Sequence, residues 1–372
     1  MRARLPQIEP TRPGLTRRAM LGGGAALALA PLPALCQANE SLASVAAGAG
    51  VDFGASIASV VASDPAYARL YARETRLATT DYALKFDKLR PARDTYDFAD
   101  ADALLAFADA NKLGLRGHTL MWNENAPAWL KSMSRDETRR AFDEHIDKVV
   151  SRYAGRLHSW DVVNEPFWPE HGTPDGFRDG PWLQAFGPSY VERAFRRAAA
   201  LDPKARLCLN EAHCENDNDW GRGIRPRLLR LIDTLQDKGV PLHAVGLQCH
   251  LQPQLPHDDV FFRHYLEQLA ERMVDIYITE LDVDDAPFPM DVAARDALVA
   301  ERYEAFLTQV LRVPAVKAVI VWQLSDKYSW YRTTRPPDPA GKRLARPLPF
   351  DDAMQPKPAR DAIARALRSR LA

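Results

Sequence analysis

The stretch Arg156-Leu-His-Ser-Trp-Asp-Val-Val-Asn-Glu-Pro-Phe167 carries the first evidence of the fold. Its middle, Ser159 to Val163, is short, apolar and β-branched, the composition of a parallel strand buried on both faces. The run stops at Asn164-Glu165-Pro166, because proline cannot continue a ladder and biases the residue before it toward extended backbone. A carboxylate is left at the C-terminal lip of a strand with an amide beside it. Burying an acid there costs free energy unless it is protonated or paired. Glu165 is therefore either a catalytic carboxyl or a strand-end acid paired with a nearby Arg.

A second segment favours catalysis. Asp275-Ile-Tyr-Ile-Thr-Glu-Leu-Asp-Val283 is another short β-rich run, with Glu280 near its end. Glycoside hydrolysis needs two carboxyl groups, one to protonate the leaving oxygen and one to attack the anomeric carbon or activate water. Glu165 and Glu280 on the ends of two strands fit that requirement together better than either does alone.

Working outward, strand-like runs recur at 51–57, 84–89, 114–122, 158–165, 206–211, 243–250, 275–281 and 318–324. Most gaps hold an amphipathic helical pattern, as at 135–153 and 226–238. Asn111-Lys-Leu-Gly114 and Asp237-Lys-Gly239 mark helix ends before new strands. Eight strands alternating with helices predict an α/β fold, a (β/α)8 TIM barrel in one domain over residues 45–372. An open doubly wound sheet fits less well. No Gly-x-Gly-x-x-Gly follows the first strand, and polar and aromatic residues gather at the C-terminal ends of nearly all the runs. The Pro-rich patch Arg335-Pro-Pro-Asp-Pro339 is short and reads as a loop.

Composition is ordinary for a globular chain of 372 residues, 46% hydrophobic and 26% charged. The N-terminus is not. Thr16-Arg17-Arg18-Ala19-Met20-Leu21, an apolar run to Leu35 and then Cys36-Gln37-Ala38 have the layout of a twin-arginine (Tat) signal peptide over residues 1–38. The apolar run is too short and too rich in Gly and Ala for a membrane anchor. A secreted or periplasmic protein is expected. Without residues 1–38 the chain has 44 basic and 48 acidic side chains, a net charge of −4. That argues against nucleic acid or an anionic membrane as the partner and fits a neutral substrate. Cys208, Cys214 and Cys249 remain; Cys208 and Cys214 can meet across a strand-end loop, and free buried thiols fit equally.

At this point the motifs together resemble glycoside hydrolase family 10, the β-1,4-xylanase family of retaining (β/α)8 barrels. The segments are Arg116-Gly-His-Thr-Leu-Met-Trp122, Trp160-Asp-Val-Val-Asn-Glu-Pro166, Val245-Gly-Leu-Gln-Cys-His250, Ile278-Thr-Glu-Leu-Asp282 and Val321-Trp-Gln-Leu-Ser-Asp-Lys-Tyr-Ser-Trp330, followed by Pro347-Leu-Pro-Phe-Asp351 and Lys357-Pro358. The resemblance implies an endo-1,4-β-xylanase with Glu165 as acid/base and Glu280 as nucleophile. It implies that Asn164 bonds the 2-hydroxyl of the −1 sugar, that His250 holds Glu280 or that hydroxyl, and that Asp282 orients His250. Gln248 is expected to touch Glu165. His118 and Trp122 are expected to line the −1 sugar, Trp322 and Trp330 to roof it, and Lys85 to donate to a hydroxyl at −2. Asp326 and Lys327 read as an ion pair supporting the eighth loop, and Trp129 as packing behind the site. The implied partner is a polysaccharide or oligosaccharide, taken by a monomer without metal or cofactor.

Departures from the family pattern fall at the substrate grip. Asp81 and Tyr82 stand where Glu-Asn usually precedes Lys85. Asn123 stands where His often follows the Trp, and Asn210-Glu211-Ala212-His213 keeps only the first residue of Asn-Asp-Tyr-Asn. A retaining β-glycosidase acting on another glycan is therefore a second reading. A sugar-binding barrel without activity is disfavoured, because both carboxyls and their supports are present.

Overall fold

Every position of the strand Ser159–Asn164 is buried, as expected where helices cover one face of a parallel sheet and a closed interior lies behind the other. The computed structural model describes residues 40–335 and 343–370. In it eight strands follow one another: β1 Asp52–Ile57, β2 Leu77–Thr80, β3 Gly114–Gly117, β4 Ser159–Asn164, β5 Arg206–Glu211, β6 Ala244–Leu247, β7 Asp275–Val283 and β8 Val316–Val321. Each pairs in parallel with the next, and β8 pairs with β1. The ring is closed, so the predicted (β/α)8 barrel is the observed architecture. Two short pieces, Met121–Trp122 and His250–Leu251, extend the pairing at the C-terminal rim.

A helix follows every strand, among them Arg135–Tyr153 after β3 and Val292–Val310 after β7. The former has the predicted bounds for a local reason. Ser134 and Glu137 form a reciprocal capping box, and Ala141, Phe142, His145, Ile146, Val149, Val150 and Tyr153 make one buried stripe. Helix Asp219–Asp237 starts earlier than the pattern at 226–238 suggested. Pro226 lies inside it rather than opening it, and the N-cap is Asn218. The first helix, Leu42–Gly48, is capped by Ser41 and buries Leu42, Ala43, Val45 and Ala46. The expected domain start at residue 45 falls inside it, and residues from Ser41 onward form one compact unit.

The second strand lies elsewhere than expected. Residues 84–89 are a turn leading into the short helix Phe86–Leu89, while β2 is Leu77–Thr80. Leu84, Phe86 and Leu89 are buried all the same, from a turn and one helical turn rather than a strand. Cys208, Cys214 and Cys249 are buried free thiols. The twin-arginine segment, and all but Arg335 of the Pro-rich patch, lie outside the described residues.

The barrel interior is polar where it approaches the rim. Arg116 donates to Thr79 Oγ1, Ser159 Oγ and Asp161 Oδ1, at 3.2, 3.1 and 2.5 Å, and is fully buried. Asp161 uses its other oxygen on His118 Nδ1 at 3.0 Å. Two strands are also out of step with a neighbour just before their functional ends. β4 gains one residue on β5 between Asp161 and Val163, and β7 gains one on β8 between Ile278 and Leu281. Such bulges re-aim side chains at barrel rims.

Candidate active site

Glu165 sits immediately after β4 with φ +47°, not in the extended conformation that Pro166 favours. His213, Cys249 and Gln323, just past the ends of β5, β6 and β8, also have positive φ. Non-glycine residues in that region carry backbone strain, which tertiary contacts must over-determine and which collects at functional sites. Here the strained positions line the same rim.

The Glu165 carboxyl is enclosed by donors. Oε1 accepts from Gln248 Nε2 at 2.8 Å and Asn164 Nδ2 at 3.3 Å. Oε2 accepts from Trp122 Nε1 at 3.2 Å and from Arg178 Nη2 at 2.5 Å. Burial pushes its pKa up. Arg178 and the Gln248 hydrogen bond oppose this, Glu280 and Glu124 add to it, and the balance stays above the ordinary carboxyl value.

Glu280 Oε2 lies 3.2 Å from His250 Nε2, and His250 Nδ1 lies 3.0 Å from Asp282 Oδ2. Asp282 also accepts from Trp330 Nε1 at 2.8 Å and Tyr331 Oη at 3.3 Å. Burial works against a charged imidazole, but the carboxylates of Asp282 and Glu280 outweigh it and hold His250 protonated well above its usual range. For Glu280 burial is again the largest influence and raises the pKa. The His250 hydrogen bond and the charges of His118, His250 and Lys85 overcome it, so the net displacement is downward.

Asn210 joins the two acids. Its Nδ2 donates to Glu280 Oε1 and to Asn164 Oδ1, each at 2.8 Å, while Oδ1 accepts from Thr279 Oγ1 at 2.7 Å. A Cβ on Gly246 would come within 2.2 Å of that Oδ1, so only glycine admits the Asn210 side chain. A continuous chain therefore runs Glu280–Asn210–Asn164–Glu165–Gln248. Two carboxyls so linked, one displaced up and one down, are equipped for an acid and a nucleophile.

His118 is buried, with Trp322 edge-on at 5.6 Å, and Trp322 also lies near His250. Trp330 approaches His250 at 5.2 Å. Lys85 Nζ lies 5.1 Å from the Trp122 ring and 5.7 Å from that of Tyr82. Asp81 is engaged by Gln323 Nε2 at 2.7 Å, and Tyr82 points its hydroxyl to Asp87 at 2.8 Å with its side of the residue open to solvent. Asp326 does not pair with Lys327. It holds Lys357 at 2.9 Å, and Lys327 reaches Asp64 at 2.8 Å, because the eighth loop packs on the C-terminal segment and on the helix after β1. Trp129 packs on Phe86 and donates to the Arg90 carbonyl. Asn123 is buried outside the carboxyl network, bonded to the Arg178 carbonyl and the Trp182 N–H.

Sequence reasoning assigned no role to Arg178, and for Asn210 noted only its identity. Neither position has a local spacing that ties it to Glu165. Glu165 is linked through Asn164 and Asn210 to Glu280 and is also paired with an Arg, as a strand-end acid would be.

The profile described as glycosyl hydrolase family 10 matches residues 41–366. The chain is 32% identical over 309 residues to endo-1,4-beta-xylanase B of Thermotoga neapolitana, covering 82% of this chain and 84% of that one. It is 32% identical over 300 residues to endo-1,4-beta-xylanase B of Paenibacillus barcinonensis, covering 77% and 87%. The crystal structure of xylanase 10B from Thermotoga petrophila RKU-1 in complex with xylobiose superposes with TM-score 0.79 at 30% identity, over 90% of this chain and 99% of that one. Closed barrel, paired carboxyls at its rim and similarity over residues 41–366 agree: the chain belongs to glycosyl hydrolase family 10.

Proposed function

We propose that this protein is a secreted, retaining endo-1,4-β-xylanase. The observation that carries this is the pair of buried carboxyls at the barrel rim, Glu165 and Glu280, joined through Asn164 and Asn210, with their surroundings displacing the first upward and the second downward. In the proposed first step ionised Glu280 attacks the anomeric carbon of the −1 sugar while protonated Glu165 gives its proton to the departing glycosidic oxygen. In the second, Glu165, now a carboxylate inside its cage of donors, takes a proton from water, which displaces Glu280. Asn164 and His250 are the hydroxyl-binding groups, and Trp122, Trp322 and Trp330 the apolar surface for the pyranose. The xylanases of Thermotoga neapolitana and Paenibacillus barcinonensis support xylan as the substrate. The Arg17-Arg18 pair supports export by the Tat route.

A second reading, a retaining β-glycosidase for a different β-glycan, is favoured by one observation. Asp81 is committed to Gln323 and Tyr82 to Asp87, so the −2 grip differs from a Glu-Asn pair. The test is a product profile on xylan, mixed-linkage glucan and aryl β-xylobioside and β-cellobioside, with proton NMR of the first product. Preference for xylan with the β-anomer first is expected. Preference for glucan would select the second reading, and an α-anomer first would overturn retention.

A further inference from the structure

Arg178 is the charged group at the site that the two-carboxyl reaction leaves without a task. Its position follows from the loop after β4, which doubles back on itself. Phe167 and Phe177 form an antiparallel bridge, Trp168 N–H donates to Gly176, and Arg178 N–H donates to Pro166 at 2.7 Å. Asn123 fixes the return by donating to the Arg178 carbonyl at 3.3 Å and accepting from Trp182 N–H at 3.0 Å. Gly180, at φ +156°, is needed because a Cβ there would lie 2.7 Å from Asn123. The guanidinium is then held on four sides. Nη2 donates to Glu165 Oε2 at 2.5 Å, Nε to the Glu165 carbonyl at 3.2 Å, Nη1 to Glu124, and its face lies 4.1 Å from the Trp168 ring. Arg178 is buried, whereas the Glu124 side chain is more than half exposed.

We propose that Arg178, held between Glu124 and Glu165, is the positioning residue that sets the pH at which the acid/base gives up its proton. The proposal rests on the reading of Glu165 as acid/base. All four side-chain contacts to its carboxyl are donors, an environment that favours the carboxylate of the second step. The first step needs the acid, so the cage must not hold the carboxylate too firmly. Glu124 limits that hold by sharing Arg178 and by its own negative charge. The other charges facing Glu165 are Glu280 on β7 and Glu211 at the end of β5; His250 and Lys85 act on Glu280 instead. Burial pushes the Glu211 carboxyl up, against the N–H groups of Ala212 and Phe167 from which it accepts, and Arg178 is the cation that opposes the cost of ionising Glu165. The family departure at Asn123 gains a role by the same argument. It anchors the Arg178 loop.

The test is the alkaline limb of kcat/KM, which reports the acid of the free enzyme, measured on an aryl β-xylobioside with a poor leaving group. Arg178→Met should move that limb up by about one pH unit or more, since a lone adjacent guanidinium lowers a carboxyl by that much. Glu124→Gln should move it down, and Arg178→Lys should keep it nearer the wild type than Arg178→Met does. With a dinitrophenyl leaving group, which needs no proton, none of the variants should shift the profile. An Arg serving only to hold the loop would lower activity at every pH and leave the limb in place, which would overturn the proposal, as would shifts of the same sign in Arg178→Met and Glu124→Gln. If Arg178→Met does not fold, the Glu124→Gln shift decides, because that substitution lies on an exposed side chain. Glu165→Ala serves as the separate control. If its loss of activity does not depend on the leaving group, the acid/base assignment fails rather than the role of Arg178.

Discussion

Glu165, just past β4, and Glu280, near the C-terminal end of β7, are 8% and 5% exposed, yet their proton affinities are displaced in opposite directions. Burial raises both, so burial is not what separates them. Glu280 faces His250, itself kept cationic by Asp282, with His118 and Lys85 adding charge of the same sign. Glu165 has one cation, Arg178, and part of its effect is cancelled by Glu124 and Glu280. The difference teaches that two buried acids are set apart by the charges around them, with Asp282 behind His250 on one side and Glu124 sharing Arg178 on the other.

The largest effect that would test this comparison is at Glu280. Glu280→Ala should reduce turnover on every substrate by about 10⁴-fold or more, as loss of a covalent nucleophile does. Added azide should restore activity and yield the α-glycosyl azide; rescue giving only the β-azide would reverse the assignment. Glu165→Ala should cost about 10²–10⁴-fold on natural glycan, far less in the glycosylation of dinitrophenyl substrates, with azide giving the β-product. An equal loss on both substrates would erase the distinction between the two acids.

A third buried acid sharpens the comparison by showing burial with little help. Glu215 has Oε2 without a hydrogen-bond partner among the described residues, and burial pushes its pKa up to about 7 despite opposition from its own backbone N–H and then from His250 and Arg302. Its folded value lies above the unfolded one. Its contribution to stability is therefore whole below pH about 4.5 and lost as pH rises through about 7. Glu215→Gln should be more stable than wild type at pH 8, relative to pH 4.5, by about 1–3 kcal/mol. Denaturant melts at the two pH values measure this, and equal pH dependence in both proteins would contradict it. The smallest effect is expected at the β2 loop. Asp81→Glu with Tyr82→Asn should raise kcat/KM on short xylo-oligosaccharides by about tenfold, the worth of one regained hydrogen bond of about 1–3 kcal/mol. A loss would mean these side chains are shaped for a different glycan.

Read by itself, the sequence determined the barrel, the rim and both carboxyls. Long apolar runs such as Ser159–Val163 and capped helices such as Arg135–Tyr153 encode their structure locally, through period, caps and proline stops. The pairs Gln248–Glu165, His250–Glu280 and Asp282–His250 were legible because each residue lies inside a strand-end motif. The four-residue β2 was not legible. Leu77-Ala-Thr-Thr80 is too short to show a period, and the buried Leu84, Phe86 and Leu89 nearby imitate a strand until their loop folds under the rim. Only the tertiary structure decided that Asp326 meets Lys357 rather than Lys327, that Asn210 bridges the two acids, and that Arg178 returns to Glu165. These contacts join segments whose separation along the chain follows no repeat. Closure of the ring brings them together, and a charge finds its partner by distance in space, which no local pattern records.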